Sequence, residues 1–164
     1  MHHIEQIQTK ERDITALGEI LIDYTPLPDS DAGMAVFEQN PGGAPANVLV
    51  CAARLGRSTA FIGKVAEEDF AGAYEVLSQS TTLAADMQGR FLRSALEKMG
   101  IDTRGLQVDE RYFTTLAFVR LTKQGERSFS FARKPGADTQ LEPQELDREL
   151  IAGSRVFHFG SLSL

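Results

Sequence analysis

Residues 40–48 read NPGGAPANV, and no other stretch constrains the fold of this chain as strongly. Gly42 and Gly43 free the backbone, Pro41 and Pro45 restrict it, and Asn47 sets a polar amide where an apolar helical spacing begins. A plain connector needs only part of this. A loop whose backbone comes close to a ligand at a helix N-terminus uses all of it. Proline is tolerated in the first helical turn, where its missing N–H has no partner to lose. A helix is therefore expected from Pro45, with Ala46, Leu49, Val50 and Ala53 at helical spacing and Gly56 as its stop.

The flanking segments suggest an α/β rhythm. Residues 13–24, DITALGEILIDY, are β-rich with weak alternation, which suits one strand covered on both faces. TPLPDSDAG then ends it, because its prolines cannot continue a ladder. STAFIGKV (58–65) reads as a second strand behind the helix. In EEDFAGAYEVLSQ, Phe70, Ala73, Tyr74 and Leu77 form a first apolar stripe. A stronger helix follows, with Asp86 as cap, Met87, Phe91, Leu92, Ala95, Leu96 and Met99 as core face, and Gly100 as stop. RYFTTLAFVRL and RSFSFAR flank TKQGE as a hairpin turning at Gly125. One face of its second strand carries Arg127, Phe129, Phe131 and Arg133, the other Ser128, Ser130 and Ala132. That small face could lie over a ligand cleft; the plainer reading is an edge hairpin with a solvated side. EPQELDRELI reads as a short helix and SRVFHFGSL as a last strand.

Composition narrows the function classes. A net charge of −6, with no basic run, argues against nucleic acid. One cysteine, Cys51, cannot form an intrachain disulfide, and no apolar run reaches the roughly 20 residues of a membrane helix. Residues 1–12 read as a polar tail with His2 and His3 in it, and a cytoplasmic protein with no membrane partner is the expectation.

Several motifs fail. GRSTAFIGKV lacks the spacing and the Ser or Thr of a phosphate-binding loop, and no G-x-G-x-x-G, G-x-S-x-G or zinc-type cluster occurs. His158, inside an apolar strand, reads as a packed histidine. What remains is a constellation: Asp23 at the end of the first strand, the Gly42–Gly43 backbone, and Asn47 in the first helical turn. A carboxylate, exposed amides and an amide side chain match the donors and acceptors of a sugar's hydroxyls. Taken singly, Asp23 could be a turn residue, Asn47 a cap and the glycines a bend.

In this order, the stretches ALGEILIDY, NPGGAPANV, AARLG, FIGKV, GRFLRSALEKMGID, SFSFARKPGADTQL and VFHFGSLSL resemble the ribokinase/PfkB family of carbohydrate kinases, fructokinases most closely. The resemblance implies a ribokinase-like α/β/α sandwich, with residues 13–164 the N-terminal half of a doubly wound, mostly parallel sheet. A small β lid would form from segments 33–40 and 113–133. The implied reaction moves the γ-phosphoryl of ATP to a sugar hydroxymethyl with Mg²⁺, and often a monovalent cation. Asp23, Gly42, Gly43, Asn47 and Arg133 would be the sugar-side residues, and two copies could pair through the lid.

Two departures stand out. The family's Gly-Ala-Gly-Asp motif, which carries its catalytic base, is absent, so no residue here is assigned as catalytic and the chain alone is expected not to turn over. Ala66 stands where the family has glycine, and residues 66–85 look inserted, while Leu49 replaces a small residue and could crowd its helix. A doubly wound sheet cut midway is also expected to expose apolar surface and an unpaired edge. The alternatives are a kinase for another sugar, such as ribose, 2-keto-3-deoxygluconate or a nucleoside, and a non-catalytic sugar-binding remnant.

Overall fold

The first apolar run breaks in two. In the computed structural model, which describes residues 10–66, 87–121 and 126–160, β1 (Arg12–Leu17) and β2 (Leu21–Leu27) are separated by Gly18–Glu19–Ile20 and join different sheets. The single strand expected over 13–24 is thus corrected. The break was hidden because the apolar residues that flank it, Ala16 and Leu17 before and Leu21 and Ile22 after, are all buried.

The main sheet has the order β5-β4-β1-β8 and is parallel throughout. Its strands are β1, β4 (Thr59–Val65), β5 (Asp102–Val108) and β8 (Ser154–Phe159). Every residue of β4 is buried, as a strand covered on both faces requires. Ala16, Phe61 and Val65 pack on one side against Leu49 of α1 (Ala44–Arg54) and Leu92 and Leu96 of α2 (Met87–Lys98). Leu17, Ala60 and Ile62 pack on the other side against Leu150 of α3 (Arg148–Ala152). Three layers result, α/β/α, as expected. Leu49 is fully buried in the first of these clusters, so the fold accommodates the larger side chain. From β1 the chain passes outward to β4 and β5, then returns to β8 on β1's other side. The winding direction therefore reverses between β1 and β8, and open α/β sheets bind ligands beyond the strand ends at such a reversal.

A second sheet, β3-β2-β6-β7, stands beside the first. It contains β3 (Val36–Gly42), β6 (Leu116–Leu121) and β7 (Arg127–Ala132), and it adds β2 to the segments 33–40 and 113–133. Against expectation, β2 continues through Pro26. The Ile22 N–H donates toward β6, to the Thr115 carbonyl. Alternation puts the Pro26 nitrogen on that same side, past Tyr24, the last β2 residue that β6 pairs. No ladder bond is lost there.

Other elements also differ from the sequence reading. β5 was not expected: Asp102, Arg104 and Gln107 dilute its apolar pattern, and it forms a sheet edge. The core face of α2 is narrower than its spacing suggests, since Leu92 and Leu96 are buried but Met87 and Phe91 are exposed. The helix expected over 142–151 is split into a 3₁₀ turn (Pro143–Glu145) and α3, which Asp147 caps by accepting the Leu150 N–H at 2.8 Å. The polar tail ends sooner than expected, with Arg12 already in β1 and paired to Asp102 at 2.7 Å. At the other edge, β8 leaves Val156, Phe157 and Phe159 exposed. The stripe from Phe70 to Leu77, the Asp86 cap, Gly125 and all of the 66–85 segment after Ala66 lie outside the described residues. Among the described residues, no helix is long and apolar enough to cross a membrane.

Candidate functional site

The N-terminus of α1 sits at the reversal point of the main sheet. A Cβ built on Gly18 or Gly160, the residues that follow β1 and β8, would meet the Pro45 ring at 2.7 and 2.4 Å. Pro45 therefore packs directly over the ends of both strands. Its position in the first turn of α1 follows from the expected proline preference, although the helix starts one residue earlier, at Ala44.

The two glycines have different tasks. Gly43 is the residue before the helix and has φ 111°, in the region that side chains rarely adopt. A Cβ there would also lie 2.4 Å from the Glu19 carbonyl oxygen. Gly42 ends β3, and its missing Cβ leaves room for the Asp23 carboxylate, whose Oδ2 would be only 2.3 Å away. The expectation that both glycines clear space is thus refined: one permits a backbone turn, the other makes way for a carboxylate.

Asp23 is the third residue of β2, between Asn40 of β3 and Ala117 of β6. It belongs to the second sheet and not, as expected, to the end of a main-sheet strand; β1 has already ended at Leu17. Burial of this carboxyl raises its pKa above the ordinary 3.8. Asn47 is exposed in the first turn of α1, and its backbone N–H donates to the Gly43 carbonyl at 3.0 Å. The residue before the helix is Gly43, so Asn47 is not its cap. Gly42 and Asn47 line a cavity of about 470 Å³ together with Ile20, Val50, Leu96 and Met99. Asp23 lies against Gly42, and Asn47 is tied to Gly43 by its backbone bond, but neither Asp23 nor Gly43 lines that cavity.

Arg133 lines a different cavity, of about 620 Å³, with Gln88, Phe113, Phe131 and Lys134. Its Nη2 donates to Asp138 Oδ2 at 2.5 Å, and Asp138 is fully buried. The serine face of β7 does not share Asp23's side of the sheet. Register pairs Ser130 with Phe118, which stacks on Tyr24 at 5.3 Å, while Phe131 pairs with Ala117 beside Asp23. β7 is the edge strand with every residue exposed, as the plainer reading held.

Three buried carboxylates, Glu19, Asp109 and Asp138, and one buried ammonium, Lys64, escaped the sequence reading. Glu19 is fully buried; its Oε1 accepts the Ala44 N–H at 3.3 Å, which replaces the cap side chain that Gly43 lacks. Its Oε2 has no hydrogen-bond partner. A charged residue inside ALGEILI was the available signal. Lys64, dismissed as part of a failed phosphate motif, is only 2% exposed and pairs with Asp109 at 3.0 Å and Glu145 at 2.7 Å. It also donates to the Gln140 carbonyl at 3.0 Å, so its task is structural. His158 is partly buried in β8.

The profile of the pfkB family carbohydrate kinases matches residues 11–84 and 78–164. The chain is 41% identical over 156 residues to "Probable fructokinase-3" of Arabidopsis thaliana, covering 92% of this chain and 39% of that protein. Among solved structures, it resembles the fructokinase of Xylella fastidiosa with a TM-score of 0.73 at 35% identity, over 90% of this chain and 40% of that one. The same protein's structure with bound ATP gives a TM-score of 0.72 at 34% identity, again over 90% of this chain and 42% of that one. The chain thus spans about two fifths of the length of the relatives it matches.

Proposed function

The chain belongs to the pfkB family of carbohydrate kinases, and from that premise we propose that it forms the sugar-binding portion of an ATP-dependent kinase that phosphorylates a sugar hydroxymethyl, with fructose as the preferred sugar. One observation carries this reading: the Asp23 carboxylate lies directly against Gly42, which is followed by the helix turn that presents Asn47. Asp23 accepts from sugar hydroxyls, Asn47 both donates and accepts, and the glycine backbone lets a polyhydroxyl ligand come close. Arg133 contacts the sugar side from the second cavity, which shares no lining residue with the first. The second sheet is the lid over the sugar, and its face carrying Tyr24, Phe37 and Phe118 is where two copies would pair.

Phosphoryl transfer is mostly positioning and charge stabilisation around the nucleotide. This chain's part is to hold and orient the accepting hydroxyl. Among the described residues, no cluster of three or more His, Cys, Asp or Glu side chains could hold a metal ion. No step of the transfer is assigned to a metal held by these residues. The fructokinase from Xylella fastidiosa has been seen with ATP bound, which supports ATP as the phosphoryl donor.

Isothermal titration with fructose, then with ATP–Mg²⁺, tests the reading. Fructose binding without ATP binding is the expected result; a panel with ribose, 2-keto-3-deoxygluconate and a nucleoside tests the choice of sugar. Binding of none of them would overturn the assignment. Asp23→Asn and Asn47→Ala should each weaken fructose binding by about 1–3 kcal/mol, since each leaves ligand hydroxyls unpaired. Asp23→Asn should at the same time raise the melting temperature at neutral pH. A folded-state carboxyl whose pKa is raised disfavours the ionised form, and an amide avoids that cost. For the same reason, acidification should weaken fructose binding already at a pH above the ordinary carboxyl value of 3.8. Affinity that stays flat through that range would remove Asp23 from the site.

A further inference from the structure

Arginine side chains are long and flexible, and one that waits in many rotamers must be ordered by its ligand before it can contribute to binding. Arg133 is not left in that state. Its guanidinium meets Asp138 at 2.5 Å, on a side chain with no exposure at all. Asp138 is in turn gripped at its other oxygen, where the Thr115 hydroxyl donates to Oδ1 at 2.5 Å. The backbone carrying Asp138 is also held, in a 3₁₀ turn (Ala137–Thr139) whose Ala137 N–H donates to the Phe113 carbonyl at 2.9 Å. No side chain fits at Gly136, because a Cβ there would lie 1.9 Å from Thr115 Oγ1. The sequence KPGAD is thus the housing of one carboxylate.

The arrangement spans the base of the second sheet. Thr115 immediately precedes β6, Arg133 immediately follows β7, and the Thr115 carbonyl accepts the N–H of Ile22, the neighbour of Asp23. Asp138 therefore joins both ends of the β6–β7 hairpin and connects, through one ladder bond, to the strand that carries Asp23. We propose that Asp138 is a positioning residue: it fixes the Arg133 guanidinium toward the cavity it lines, and it does so in register with the Asp23 strand. This rests on the reading of Arg133 as a sugar-side contact. Asp138 itself touches no ligand, being walled in by Thr115 and Arg133.

The test is a double-mutant cycle on fructose affinity, combined with arginine side-chain NMR. Arg133→Ala and Asp138→Asn should each weaken binding roughly tenfold, because each removes the same ordered contact. The double variant should bind no worse than Arg133→Ala, since Asp138 acts only through Arg133. A purely structural Asp138 would instead give effects that multiply, and that result overturns the proposal, as does wild-type affinity in Asp138→Asn. The Arg133–Asp138 contact is made through Nη2, so in the wild type the Arg133 Nη–H signals, assigned by their loss in Arg133→Ala, should be slow to exchange, and in Asp138→Asn they should exchange with solvent. An Arg133 signal unchanged by Asp138→Asn overturns the proposal whatever the sugar data show. If Asp138→Asn fails to fold, Thr115→Val frees the same carboxylate without leaving a buried charge unpaired, and the same cycle applies. Wild-type binding of fructose with no loss in Arg133→Ala removes Arg133 from the site and the proposal with it, while leaving the sugar reading standing. No fructose binding by the wild type fails the sugar reading instead, and the NMR comparison then decides Asp138 alone.

Discussion

Lys64→Met is expected to destabilise the fold by about 3–5 kcal/mol, read from urea or thermal unfolding, because it leaves Asp109 and Glu145 facing each other without their cation. The loss should be largest at neutral pH. Burial works against each of these charges, yet the bonds outweigh it. The Arg111 backbone N–H and the Lys64 ammonium hold Asp109 below its ordinary 3.8, and Lys64 holds Glu145 below 4.5. The contacts to Glu145 and Asp109 raise Lys64 above 10.5. Carboxyls with lowered folded values contribute stability that is complete above their ordinary range and is lost as pH falls through the lowered values. The raised Lys64 contributes stability that is complete below 10.5 and is lost as pH rises through its higher folded value. In Lys64→Met the buried Asp109 keeps only the exposed Arg111 at 3.4 Å and the partly buried Glu145 loses its cation, so protonating them should relieve the variant. The gap between variant and wild type should narrow below about pH 4. A gap that is constant with pH would show that the cluster contributes by packing alone.

Gly43→Ala and Gly42→Ala should part company, although the residues are adjacent. At Gly43 the added Cβ meets backbone, the Glu19 carbonyl, at 2.4 Å and must also adopt φ 111°. Neither can relax cheaply, so a loss of about 3 kcal/mol or more in stability is expected, with detachment of the α1 N-terminus. At Gly42 the Cβ meets the end of the Asp23 side chain at 2.3 Å and Leu21 Cδ1 at 2.9 Å. Those atoms can turn away, at the expense of where the carboxylate points. Gly42→Ala should therefore fold with a smaller loss of stability but bind fructose much more weakly. Melting and titration of the two variants side by side check this. Equal effects on both quantities would mean that the loop has one role and not two.

The centre of the main sheet was legible because β4 is buried on both faces, whereas β5 at one edge was missed and β8 at the other is largely exposed. Residues 58–65 read as a strand, and the proline–glycine–proline spacing of 41–45 was read as leading into a helix start, and both elements form there. The residues around that start, Gly42, Gly43 and Asn47, were picked out for reasons of local backbone chemistry, which a sequence states directly. Asp23 was picked out too, but on the wrong element. Its run of apolar neighbours gives no sign of the break at Gly18–Ile20, since those neighbours are buried before and after it.

Glu19, Lys64 and Asp138 could not be found in the same way. Each is a charged residue whose surroundings come from distant segments: Ala44 for Glu19, Asp109 and Glu145 for Lys64, Thr115 for Asp138. Periodicity reports which face of an element is apolar and says nothing about which charges meet across elements. By itself, then, the sequence determined the covered strands, the helix that opens on Pro45 and the family to which they belong, because burial pattern and backbone restriction are local properties of the chain. Only the tertiary structure decided that the first run serves two sheets, that Gly42 yields its space to a carboxylate, and that Lys64 and Asp138 are paired where they are buried. Those outcomes depend on partners brought together by the reversal of the sheet, and a charge is stable in the interior only where such partners arrive.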